Sequence, residues 1–185
     1  MHRSEQPPMP QDSVQAELSR WVADMPDVDP QTEAARQRIG RMSRLFERLL
    51  AQVAADHELT AGDWAALSAL QRSGPPYQAS PTTLSQQLGI TSGTMSVRLA
   101  RLAQAGLIES VASADGRSKP VRLTLHGQDR WRAATQQRTA REHRLFTEAL
   151  TRHDLEELNA LLGRLLGRLE DEFGQATRHD VPKDT

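Results

Sequence analysis

The sequence predicts a mainly α-helical chain with one small β-hairpin, and three observations carry that prediction. Apolar residues recur at helical spacing along most of the 185 residues. Helix caps stand in front of several of those runs. Between Leu107 and Leu125 the apolar period changes from 3.6 to 2, and helical spacing then resumes.

Length favours one domain, or one domain with helical extensions. Hydrophobic residues are 37% of the chain, charged residues 25%, and the formal net charge is −1, which excludes a wholly disordered polyelectrolyte. There is no cysteine, so disulfides, thiolate metal sites and thiol catalysis are excluded. No apolar run approaches the length of a membrane span. Met1 to Pro10 is polar and proline-rich, unlike a signal peptide. A cytoplasmic protein with no membrane partner is expected.

In chain order, a short helix is expected over Gln11 to Met25, with Val14, Leu18, Trp21 and Val22 at helical spacing and Pro26 and Pro30 beyond it. A long helix follows over Gln31 to Asp56. Its apolar face is Ile39, Met42, Leu45, Phe46, Leu49, Leu50 and Val53, with Arg38, Arg41, Arg44 and Arg48 solvated. Thr60 and Asp63 form a capping box ahead of Trp64, Leu67 and Leu70, and that helix ends near Gly74-Pro75-Pro76. Ser80-Pro81 caps a helix of barely two turns through Thr83, Leu84 and Leu88, which Gly89 stops. Thr91 or Ser92 caps the next helix, with Met95, Leu99 and Leu102 inward and Gly106 at its end. Leu107-Ile108 to Val111 and Val121 to Leu125 read as two strands around a polar turn, Ala114 to Ser118. Helix resumes near His126 and reaches about Leu150. Thr151 and Asp154 cap a last helix to about Phe173, on which Leu155, Leu158, Leu162, Leu165 and Leu169 alternate at spacings of three and four. Trp64 and Phe46 are expected in the core, and Trp131 in packing.

Capped helix, tight turn, capped helix and β-hairpin with a basic tip make a winged helix-turn-helix. The turn at Gly89-Ile90 sets the second helix across the first, where it can enter a major groove. Ser80 and Thr83 on the first helix, and Thr91, Ser92, Thr94, Met95 and Ser96 in the opening turns of the second, are candidate DNA contacts; small hydroxyls and a helix N-terminus both favour phosphate. Arg98 and Arg101 extend the positive surface. Arg117 and Lys119 at the wing tip would reach an adjacent minor groove, with Asp115 aiming Arg117. The chain holds 21 arginines and two lysines. From Ser80 to Leu125 five bases face two acids, a local +3 in a nearly neutral chain.

This pattern resembles the multiple antibiotic resistance regulator (MarR) family of dimeric bacterial winged-helix transcription factors. The resemblance rests on the wing, Asp115-Gly116-Arg117-Ser118-Lys119-Pro120-Val121-Arg122-Leu123-Thr124-Leu125-His126-Gly127, and on the helix-turn-helix from Leu84 through Ser96 to Gly106-Leu107-Ile108. With the flanking helices it covers residues 31–172. It implies N- and C-terminal helices forming a dimerisation domain, a pseudo-palindromic double-stranded DNA operator, and a small-molecule effector. The loop Ser73 to Tyr77, the start Ser80 to Leu84 and the N-terminal helix with Trp21 resemble the urate-responsive branch. That branch implies a pocket with Trp21, Arg98 and a carboxylate as ligand residues, between the dimerisation helices and the winged domain. Ala65 stands at the carboxylate position; Asp63, two residues earlier and turned by about 200°, is the candidate carboxylate ligand residue beside Trp21 and Arg98. Ser110 stands where that branch often has a base. Another aromatic or phenolic effector therefore fits at least as well as urate.

The expected map is residues 1–10 disordered, 11–56 N-terminal helices of the dimerisation region, 60–125 DNA-binding domain, 126–173 C-terminal dimerisation helices and 174–185 flexible tail. Val14, Leu18, Ile39 and the leucines at 155, 158, 162, 165 and 169 are the expected dimer interface, because those faces would be exposed in a monomer. The two recognition helices would then stand roughly 34–36 Å apart. His2, His57, His126, His143, His153 and His179 are scattered without ligand spacing, and no nucleophile elbow or phosphate loop is present. Neither catalysis, a metal nor a cofactor is expected. The functional expectation is a dimeric DNA-binding repressor released by a small aromatic or anionic ligand. Two alternatives share the pattern: a ligand-independent architectural DNA-binding protein, and a protein-interaction module that reuses the winged fold.

Overall fold

The computed structural model describes residues 12–25, 27–112 and 119–175. The chain divides into two compact units between Arg48 and Leu49. In the first, α1 (Ser13–Asp24) opens at Asp12, whose side chain accepts from the Gln15 N–H at 2.8 Å. Helix α2 (Pro30–Asp56) opens at Asp29, which accepts from the Thr32 N–H and hydroxyl at 2.7 and 2.6 Å. Pro30 thus begins this helix: at the first helical position its missing N–H has no partner to lose. Arg38 donates to Asp12 at 2.7 Å, and Arg41 donates to Ser13 and Glu17. These two arginines were expected in solvent; they tie α2 to α1 instead. Arg44 and Arg48 are exposed as expected.

The second unit starts within α2, where Val53 and Ala54 are wholly buried. Leu59 donates its N–H back to Ala54 O at 2.9 Å, with Glu58 in the left-handed region at φ 58°, which closes the helix. Helix α3 (Ala61–Arg72) opens on the expected capping box of Thr60 and Asp63. Every residue from Gly62 to Leu70 is buried, so this helix is covered all round rather than on one face. Its small residues, Gly62, Ala65, Ala66, Ser68 and Ala69, let neighbours approach from every side. Those neighbours are β1 (Gln78–Ala79), α4 (Pro81–Leu88), α5 (Ser92–Gln104), β3 (Val121–Leu123) and α6 (Leu125–Ala149).

The hairpin of β2 (Ile108–Ser110) and β3 is present, with Ile108 opposite Leu123 and Ser110 opposite Val121. A third strand, β1, pairs antiparallel with the other edge of β3, giving the order β1-β3-β2. Two residues are too few to show a period, so nothing in the sequence marked it. Leu125 was expected as the last strand residue. It is the first residue of α6 and 80% exposed, because the Thr124 side chain accepts from the Gly127 N–H and turns the chain into helix there. The core is built on Leu67, Leu70, Leu84, Leu88, Met95 and Leu102. Trp64 is buried with its indole N–H on Thr135 at 3.0 Å; Trp131 is half-buried and donates to Ser68 at 2.8 Å. The guanidinium of Arg138 stacks 4.5 Å from the Trp64 ring centre. Both tryptophans therefore pin α6 to α3, the packing part expected of them. Helix α7 (Arg152–Phe173) opens on the expected capping box of Thr151 and Asp154 and contains no buried residue. No helix among the described residues is long and apolar enough to cross a membrane.

Candidate nucleic-acid interface

Helices α4 and α5 start with the same device. Ser80 accepts from the Thr83 N–H at 3.1 Å, and the two hydroxyls stand 2.8 Å apart. Thr91 accepts from the Thr94 N–H at 3.2 Å, with hydroxyls 3.0 Å apart. Pro81 occupies the first turn of α4, and Gly89 ends it at φ 62°, a left-handed conformation that costs a side-chain-bearing residue roughly 1–2 kcal/mol. The chain reverses there, Ile90 donating its N–H to Ser85 O at 3.1 Å.

Two faces of α5 separate cleanly. Met95 and Leu102 are wholly buried and Leu99 nearly so, while Thr91, Ser92, Thr94 and Ser96 are exposed. The helix is thus bolted to the core along one stripe and offers a hydroxyl-rich opposite edge. Thr83 is exposed and Ser80 half-buried beside it. Met95, expected among the DNA contacts, instead seats the helix from below.

Arg98 and Arg101, expected to extend the positive surface, and Arg122, counted in the local +3, behave differently. Arg98 is only 7% exposed and lies on the buried stripe, three residues after Met95 and four before Leu102. Its guanidinium fits because residue 62 is glycine: a Cβ there would stand 2.3 Å from Arg98 Nη2. Arg101 is half-exposed and donates from Nη2 to Asp63 Oδ1 at 2.5 Å and to Thr60 at 3.2 Å. Arg122 pairs with Glu109 at 2.6 Å across the β2–β3 register. Lys119 is exposed. Asp115 and Arg117 lie outside the described residues. The Arg122–Glu109 pair is already counted in the local +3; Asp63 neutralises one further charge through Arg101, and Arg98 is withdrawn from the surface, so the exposed hydroxyls of α5 dominate what remains.

Asp63, expected as a ligand residue, is buried and engaged at both oxygens. Oδ2 accepts from the Thr60 N–H at 2.9 Å and hydroxyl at 2.8 Å, and Oδ1 takes Arg101. Trp21, the other expected ligand residue, is 45% exposed on α1 in the first unit. Ala65 is buried and Ser110 exposed.

Of the expected dimer residues, Val14 is only 2% exposed in the single chain, so it is covered without a second copy; Leu18, Leu155 and Leu158 are half-buried. Ile39, Leu162, Leu165 and Leu169 are exposed, as are Leu161, Leu166 and Phe173, which the leucine spacing did not select. Among the described residues no cluster of three or more histidine or carboxylate side chains could hold a metal ion.

Sequence reasoning missed the pairing of Arg101 with the α3 cap and the burial of Arg98. The second was readable, since residues 95, 98 and 102 share one helical stripe. It also passed over Val97, an apolar residue off that stripe and 70% exposed.

Residues 57–118 match the model of the MarR family. The chain is 31% identical over 153 residues to the HTH-type transcriptional regulator PecS of Dickeya dadantii (strain 3937), covering 80% of this chain and 89% of that one. Among solved structures, apo MarR from E. coli superposes with a TM-score of 0.63 at 23% identity, covering 70% of this chain and 94% of that one. A MarR mutant from E. coli complexed with operator DNA gives 0.58 at 22% identity, covering 76% and 99%. AbsC, a MarR family transcriptional regulator from Streptomyces coelicolor, gives 0.62 at 21% identity, covering 78% and 97%. These structural likenesses concern the fold.

Proposed function

The chain belongs to the MarR family of transcriptional regulators, which are not enzymes, and on that premise we propose that it reads double-stranded DNA sequence-specifically as a homodimer, as a repressor that a small aromatic or anionic ligand releases. The observation that carries this reading is the division of α5. A row of exposed hydroxyls at a helix N-terminus is held rigidly by Met95, Leu99 and Leu102 beneath it. Such an edge can donate to phosphates and base edges with little ordering cost. Ser80, Thr83 and Lys119 add contacts to the duplex backbone in this proposal, and Arg117 supplies the wing contact, aimed by Asp115. The solvent-facing leucines of α7 support the dimer: an apolar helix face of that size is costly to leave in water.

The ligand is proposed to act on Asp63 and Arg98 in the second unit, with Trp21 of the first carried as a candidate ligand residue on the resemblance alone. An anion that took Arg101 from Asp63, or drew on Arg98, would change how α5 is seated. Release requires that the ligand bind the DNA-free conformation more tightly. Urate and a phenolic anion such as salicylate are both candidates, because buried Ala65 and exposed Ser110 depart from the urate-responsive pattern.

The test is an anisotropy titration of the chain's own upstream intergenic DNA against scrambled DNA at about 50 and about 200 mM salt. Specific binding that falls steeply with salt is expected, as is its release by one of a set of aromatic anions including urate and salicylate. Arg117→Ala is expected to weaken binding with the dimer intact. No preference over scrambled DNA overturns the reading. Specific binding indifferent to every anion removes the ligand and leaves the architectural alternative.

A further inference from the structure

Within the helix-turn-helix core, from Ala61 to Gln104, large apolar side chains are buried or partly covered with one exception among the described residues. Val97, in the middle of α5, is 70% exposed. An isolated exposed valine is unremarkable on an arbitrary surface, but this one has a defined setting. Gly93 and Thr94 stand one turn before it, and Ala100 and Arg101 one turn after it, all exposed and all on its face. Apart from Arg101 these neighbours are short, so the two methyl groups of Val97 project above their surroundings.

Gly93 adds an independent observation. It is the second residue of α5, in the first turn after the Thr91 cap, where glycine carries a backbone-entropy cost that alanine does not. Internal packing does not require it, since a Cβ at residue 93 would meet nothing closer than Thr91 Oγ1 at 4.0 Å. Nor is its backbone in the left-handed region, where glycine would be favoured. The missing side chain therefore leaves room for something outside the chain, one turn from Val97. A notch and an apolar knob on one face, bordered by a threonine hydroxyl and an arginine, match the major-groove edge of an A·T pair. There a thymine offers the apolar C5-methyl group beside hydrogen-bonding atoms.

We propose that Val97 is a specificity-determining residue that reads a thymine C5-methyl group in each half-site, with Gly93 allowing the close approach. This rests on the DNA-reading function proposed above. Val97 makes α5 select for a methyl group rather than a hydrogen-bonding pattern, and 5-methylcytosine at the same place would satisfy it equally.

The experiment begins by selecting duplexes from a randomised library with the wild-type protein, then replaces each thymine of the selected site by deoxyuridine, which removes only the methyl group. Wild-type affinity is expected to fall about fourfold, the value of one methyl-sized contact, at one thymine and equally at its symmetry mate. Val97→Ala, which removes the contact from both half-sites, is expected to bind the parent site about sixteenfold more weakly, and to be indifferent to deoxyuridine at that thymine. Because the side chain is exposed, this variant should keep its thermal unfolding midpoint, which is measured alongside. Specific binding with no methyl-sensitive thymine overturns the inference alone. So does a Val97→Ala variant that still loses the same factor on deoxyuridine substitution. A selection that enriches no sequence overturns the DNA-reading proposal and this inference with it.

Discussion

Gly127 is where one added methyl group meets the least yielding neighbour. A Cβ on this residue would stand 1.9 Å from the carbonyl oxygen of Leu107. That oxygen accepts the Thr124 N–H at 3.1 Å, and the Thr124 hydroxyl donates to Gly106 O at 2.7 Å, so the carbonyl cannot retreat without loosening the start of α6. Gly127→Ala is expected to destabilise the protein by about 1–3 kcal/mol, read as a lower urea midpoint at unchanged slope. Gly93→Ala is the contrast, since its nearest neighbour is 4.0 Å away; it should hold or raise the midpoint. The sequence placed Gly127 at the close of the wing but offered no measure of this crowding, which arises between residues twenty positions apart. Asp63 follows the same pattern. Its capping role was legible from Thr60 three residues before it, because capping is local. Its ion pair with Arg101, 38 residues away, was not.

At the scale of the element, helix starts organise the chain's acid response. Asp12, Asp29 and Asp154 each stand at or within the first turn of a helix, and Glu33 lies in the first turn of α2. All four are held below their ordinary range by hydrogen bonds that favour the charged form: from Arg38 then the Gln15 N–H for Asp12, from the Thr32 hydroxyl then its N–H for Asp29, and from the Thr151 hydroxyl then its N–H for Asp154. Glu33 is lowered from 4.5 to about 2 by Arg36 and then Gln37. A carboxylate depressed in the folded state stabilises above its unfolded pKa and loses that contribution as pH falls through the folded value. Helix content by circular dichroism is therefore expected to hold down to about pH 4.5 and to decline from there towards about pH 2. Glu33→Gln should flatten the lower part of that decline, and an unchanged profile would remove Glu33 as its source. Of these starts only the Thr151–Asp154 cap of α7 was read from the sequence; Asp12 and Asp29 were not named as caps, although each lies within three residues of the N–H it accepts. The start of α2 was placed one residue late, because Pro30 read as the break between helices rather than as the first residue of the second. Strand β1 left no trace in the sequence; it exists because β3 has a second edge to pair.

At the scale of the whole molecule, the exposed apolar surface sets the expectation. Leu161, Leu162, Leu165, Leu166, Leu169 and Phe173 of α7 are between 40% and 76% exposed in the single chain. If they meet a second copy, as proposed, Leu165→Glu should shift the protein to monomer by sedimentation at micromolar concentration, with helix content retained. A variant that remains dimeric would move the interface elsewhere. By itself, the sequence determined the helix-turn-helix order, most of the caps, the β2–β3 hairpin and the inward stripe of α5, because each depends on spacing within a turn or two of chain. Only the tertiary structure decided that α3 is buried all round, that Arg98 lies against Gly62, and that Arg101 and Arg122 are paired. Those outcomes depend on which distant surfaces meet and on the room left between them, and a periodic pattern carries no information about either.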